Sequence, residues 1–149
     1  MTTNAFRSLH ESPRGYNYRF VIDHPDLTTT ANATAQDITL ITLPANSVVK
    51  SAATYLRTPF ADTADSAYDL TTVIVGDATD DDRFITSQEL NVNGTEVLAK
   101  AHASTTPHAY TAATAVVAKF TPKTGKNLAA LNTGEMHIFL EVAQLDSLT

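Results

Sequence analysis

The sequence predicts an all-β chain, an antiparallel β-sandwich or jelly roll with one short helix. Three observations predict it. Apolar and polar residues alternate with a period of two over 70–75, 111–121 and 135–142, as in strands that bury one face. No stretch carries the 3.6-residue recurrence of a long amphipathic helix. The chain also holds 24 Thr and 22 Ala but only five Lys and five Arg. That composition favours β-branched sheet formers over the straight-chain polar residues of helix surfaces.

Residues 1–15 have no convincing period and contain Ser12-Pro13-Arg14-Gly15, so they are expected to form an arm with little structure of its own. Residues 16–149 form the sandwich. Phe6 and Leu9 would be idle on a free tail, which points to an arm that orders against a neighbour or to a short amphipathic turn on its own domain. Tyr16–Ile22 (YNYRFVI) is an aromatic-rich strand that stops before His24-Pro25, and 27–36 is a polar loop. In 37–43 (DITLITL), Ile38 and Leu40 alternate with Thr39, and Pro44-Ala45-Asn46 turns the chain. Neither face of 48–57 is cleanly apolar, so its register is left open. Leu70, Thr72 and Ile74 oppose Thr71, Val73 and Val75 in a central strand ended by Gly76.

Asp77–Leu90 breaks the strand rhythm. Three consecutive aspartates precede adjacent Phe84 and Ile85, which predicts a short helix at about 80–90 with acidic residues in its first turn. Asn93-Gly94 is the strongest turn dipeptide, and 95–103 is a further strand. Ala112, Thr114, Val116, Ala118 and Phe120 share one face of the next. In the last strand Met136, Ile138, Leu140 and Val142 point inward against Glu135, His137, Phe139 and Glu141. Phe139 is the exception on that polar face, an apolar ring suited to a subunit contact.

The net charge is −6, with a pI near 5.2, and the ten basic residues form no stripe, which excludes a nucleic-acid clamp. Arg7, Arg14 and Arg19 fall near the N-terminus, while 62–89 is acidic, so the arm side is expected to face a partner and the Asp77–Asp82 loop solvent. No run approaches eighteen apolar residues and none of seven opens the chain, so neither a membrane partner nor a secretory signal is expected. The expectation is a soluble protein. A charged fraction of 17%, against roughly 25% in ordinary domains, suits either a packing surface or a Thr-covered sheet facing water.

Catalysis and cofactors find no support. There is no cysteine, hence no thiol nucleophile or cysteinate metal site. The cluster Asp77, Asp80, Asp81, Asp82 does not fit a calcium loop. Counting from Asp77, position six is Asp82 and position twelve Gln88, where Gly and Glu are needed. Of the histidines only His102 and His108 stand close. Ser47, Ser51 and Ser66 lie in no G-x-S-x-G context. Asn32-Ala33-Thr34 and Asn93-Gly94-Thr95 match the glycosylation pattern, as arises readily in a Thr-rich chain. No enzyme, cofactor or metal is expected.

The order of Leu43-Pro44-Ala45-Asn46, Gly76-Asp77, Phe84-Ile85 and Thr133-Gly134-Glu135 resembles the capsid decoration, or cement, proteins of tailed bacteriophages. The resemblance covers about three-quarters of the chain. Asn46 stands where members often have Gly, and Asn also tolerates a left-handed turn. The resemblance implies a jelly-roll homotrimer on the outer surface of the capsid head, bridging adjacent major capsid subunits. It implies Pro44 and Asn46 in a first hairpin, Phe84-Ile85 as the apolar plug of the short helix, and Gly134 at the start of the last strand. The residues expected to contact the capsid or a second subunit are Phe6, Arg7, Leu9, Tyr16, Tyr18, Phe20 and Phe139. Related modules are tail- or fibre-associated, so host or glycan attachment is the alternative.

Overall fold

The structure is a computed structural model that describes the chain except residues 6–14, 92–100, 105–106 and 149. Its strands are β1 (Thr2–Ala5), β2 (Tyr18–Asp23), β3 (Gln36–Leu43), β4 (Ser47–Ala61) and β5 (Thr71–Asp77). They continue as β6 (Asp80–Glu89), β7 (Ala101–Ser104), β8 (His108–Tyr110), β9 (Thr114–Pro122) and β10 (Thr133–Gln144). One sheet runs β1-β2-β10-β4-β7, with β8 also on β4, and the other runs β3-β9-β5-β6. All pairings are antiparallel.

β7 and β8 share one lane along β4, opposite 52–55 and 47–49 respectively. With that lane counted as one strand, every connection from β2 onward changes sheet except the β5–β6 hairpin. The fold is therefore a jelly roll. Pro44 and Asn46 do not close a hairpin as expected, because β3 and β4 lie in different sheets. They form a corner between sheets, with Asn46 at φ 62 and the Ser47 hydroxyl donating to the Pro44 carbonyl at 2.7 Å.

The core lies between the sheets. Phe20, Ile22, Leu56, Phe60, Met136, Ile138 and Leu140 from one sheet meet Val73, Val75, Phe84, Val116, Ala118 and Phe120 from the other. The alternation read from β9 and β10 matches the burial found there. A buried polar pair links the two sheets through the core, the Thr54 hydroxyl donating to the Gln88 side-chain oxygen.

The β-bulge decides one register left open by the sequence and overturns one expectation. In β4 the buried set is Ser47 and Val49, then Ala52, Thr54 and Leu56. The phase flips because Lys50 is an extra residue, Val49 pairing Val142 while Ser51 pairs Glu141. A flip in mid-strand leaves neither face uniformly apolar. The helix expected at about 80–90 is strand β6. Val75 pairs Ile85 while Asp77 pairs Asp80, so β6 loops out three extra residues on the way. That bulge lets Phe84 and Ile85 be buried side by side, the spacing that reads as helical in sequence.

Gly76 lies inside β5 rather than after it. A β-carbon there would collide with the backbone of Asp80 and Asp81 in the bulge. Gly134, at φ +140, opens β10 as expected, and the Phe60 ring occupies the space where its side chain would be. Asn93 and Gly94 lie outside the described residues. Over Thr2–Ala5 the expected arm is instead an edge strand in register with β2, from Thr2 opposite Val21 to Ala5 opposite Tyr18. Among the described residues no helix is long and apolar enough to cross a membrane.

Candidate functional site: an aromatic face on the larger sheet

Strand alternation sends every second residue of β2, β10 and β4 to the outer face of the larger sheet. Register sets Val21, His137 and Tyr55 in one row and Arg19, Phe139 and Ala53 in the next. The rings form a continuous line. Tyr55 meets His137 edge-on at 6.1 Å and 62°, and His137 meets Phe139 at 6.1 Å and 61°. Phe139 meets Tyr16 at 5.8 Å and 45°. Tyr55 is 39% exposed, so an apolar ring stands proud of the sheet. Tyr16 is positioned by Asn17, whose side chain donates to the Val142 carbonyl at 2.7 Å and accepts from the Val142 amide at 2.8 Å.

The charges around this line are paired. Glu135 accepts from the Arg57 guanidinium at 2.8 Å and lies 2.8 Å from His137 Nε2. These two partners hold the Glu135 carboxyl below its usual range. Glu141 accepts from Lys50 at 2.5 Å and from the Ser51 hydroxyl at 3.1 Å, and the lysine holds it low despite partial burial. Aromatic rings with neutralised charges at the margin match the make-up of protein-binding surfaces.

Of the residues predicted to make contacts, Tyr16 and Phe139 come together here. Tyr18 and Phe20 do not share their face. Phe20 is fully buried in the core, and Tyr18 stacks on it at 6.3 Å and 7° from the same inner side. The inward phase of β2 removes Phe20 from any partner's reach. Phe6, Arg7 and Leu9 lie outside the described residues. Tyr55 was missed because its strand changes phase, and Arg57 and Glu135 because charged residues on a strand give no sign of pairing across it.

The acidic segment is a clasp. Asp77 is buried at the start of the β5–β6 turn. One carboxylate oxygen accepts from the Thr79 amide at 2.9 Å, the Thr79 hydroxyl at 2.6 Å and the Asp80 amide at 3.2 Å. The other accepts from Arg83 Nε at 2.7 Å and the Tyr110 hydroxyl at 2.8 Å. Arg83 also lies 3.2 Å from His108 Nδ1, so the clasp ties the smaller sheet to β8 in the larger. Its acceptor oxygens are consumed by protein donors, which suits a fold constraint.

Burial pushes the Asp77 carboxyl up, but the bonds from Thr79, Arg83 and Tyr110 outweigh it and hold the group well below the usual carboxylate range. Burial, and then the carboxylate, push the Tyr110 hydroxyl up. A group depressed on folding contributes stability above its unfolded pKa and loses it as pH falls. Glu135 and Glu141 are depressed likewise. Stability is therefore expected to be level near neutrality and to decline below about pH 4, with Asp77 protonating last. Denaturant midpoints between pH 7 and 2 check this, and stability that rises on acidification contradicts it.

No protein-family model matches this chain, and no curated protein matches it. Among solved structures, it is similar to a chain in the acidic stable capsid structure of Helicobacter pylori bacteriophage KHP30. The two are 16% identical with a TM-score of 0.48, over 83% of this chain and 85% of that one.

Proposed function

We propose that the protein is a non-enzymatic structural component of a tailed-phage virion, a capsid decoration protein. As a homotrimer it bridges adjacent major capsid subunits on the outer surface of the head. The observation that carries the reading is the line Tyr16–Phe139–His137–Tyr55, an aromatic strip on a rigid sheet with its neighbouring carboxylates already paired. The order of Leu43-Pro44-Ala45-Asn46, Gly76-Asp77 and Thr133-Gly134-Glu135 along the chain supports it. So does the placement of charge, since Asp80–Asp82 belong to the other sheet, away from this face. A protein that binds the closed lattice and not free capsid subunits stabilises the assembled shell by mass action.

The rings are tilted 45–62° to one another and offer no common plane for stacking sugar rings, which favours a protein partner over a glycan. Replacing Tyr55 and Phe139 together by serine is expected to leave the fold intact. It should weaken binding to empty capsids by about 100-fold or more, as loss of two interface anchors does. Co-sedimentation with capsids measures it. Undiminished binding by the double variant removes this face from the function. Density for the chain confined to the tail in a virion reconstruction overturns head decoration and leaves the alternative module.

A further inference from the structure

The edge strand β1 is joined to its partner in an unusual way. Ala5 lies opposite Tyr18, so a tight hairpin could connect them, and hairpin loops run to about two to five residues. Here twelve residues lie between Ala5 and Tyr18. Twelve residues reach at most about 40 Å, well beyond the radius of gyration of about 15 Å for a compact chain of this length. The connection is longer than pairing with its own β2 requires, and long enough to reach another copy.

The receiving edge does not depend on β1. β2 is paired along six residues of β10, Phe20 and Ile22 are fully buried in the core, and Asn17 ties its entry to Val142. β1, by contrast, is four residues, TTNA, without a large apolar side chain; β2 is its one partner strand, and the only other tie among the described residues is the ion pair of the Met1 ammonium with Asp26. A four-residue edge strand paired on one side belongs to the least stable part of a fold. The same ladder forms whether the strand comes from its own chain or from another.

We propose that β1 is an exchanged strand: in the oligomer, Thr2–Ala5 pairs with β2 of an adjacent copy of this chain. Exchange keeps every ladder bond and turns a weak edge strand into a link between subunits. Passed head to tail, the link closes a ring. A ring of three rests on the trimer proposed above, whereas the exchange itself does not.

The chain has no cysteine, so introduced cysteines report directly. Opposed residues of an antiparallel pair have Cα atoms about 4.5–5.5 Å apart, within the disulfide range of about 4.4–6.8 Å. The full-length Thr2→Cys/Val21→Cys variant, oxidised at micromolar concentration, is run denatured with and without reductant, beside each single variant. Exchange yields covalent trimers that reduction returns to single chains. Covalent dimers without trimers support exchange and overturn the ring of three. Single chains with an internal disulfide show that the strand stays on its own domain, and no disulfide of either kind overturns the pairing; both reject the proposal. As a second measurement, deletion of residues 1–5 is expected to reduce the oligomer to single chains in sedimentation while the far-ultraviolet spectrum keeps its β signature. An unchanged oligomer contradicts the exchange.

Discussion

Asp77→Ala is expected to destabilise the protein by about 3–5 kcal/mol, the range for removing one partner from a buried charged network. The substitution deletes a buried acceptor of five hydrogen bonds. It leaves the Tyr110 hydroxyl buried without that acceptor and Arg83 with only the longer ion pair to Asp80 at 3.7 Å. At roughly 2–4 °C per kcal/mol for a chain of this size, the melting midpoint should fall by about 10 °C. Asp77→Asn should rescue little, because its amide group would turn a donor toward either the Thr79 side or the Arg83 and Tyr110 side. Tyr110→Phe removes a single bond, and about 1–2 kcal/mol is expected. In the double variant the two losses should fall short of additive, since the residues share one contact. Thermal melts of the four variants beside the parent decide the matter, and an Asp77→Ala midpoint within 3 °C of the parent contradicts the clasp.

Gly76→Ala is expected to cost about 3 kcal/mol or more, through overpacking against backbone that cannot rotate aside. The β-carbon would strike the Asp80 carbonyl and the Asp81 backbone. Relief requires flattening the β6 bulge, and the bulge is what lets Phe84 and Ile85 enter the core together. Gly125→Ala is the comparison. Its backbone sits at φ +80, but nothing stands within 4 Å of the new carbon, so only the left-handed conformation is penalised, by about 1–2 kcal/mol. Equal losses in urea titrations of the two variants would show that conformation, and not the crossing backbone, excludes a side chain at Gly76.

Most of the strands, the inward faces of β9 and β10, the turn at Pro44-Ala45-Asn46 and the all-β class were legible in the sequence. Each depends on neighbours a few residues away, through side-chain alternation and local φ preference. The candidate site was legible only in part. His137 and Phe139 could be assigned to an outer face because β10 keeps its period throughout, while Tyr55 could not, because β4 changes phase at Lys50. Likewise Phe84-Ile85 carried a helical spacing that belongs to a bulged strand. Whether an extra residue is squeezed out depends on the strand it pairs with, and those partners lie far along the chain. The pairing of Tyr16 with Phe139, and of Asp77 with Tyr110, required the jelly roll to bring remote segments together. Local pattern therefore determined the strands that keep a regular period and which of their faces are apolar, and it missed β1 and the bulged β6. Only the tertiary structure decided where the phase breaks, because a bulge is a property of two strands and a sequence pattern describes one.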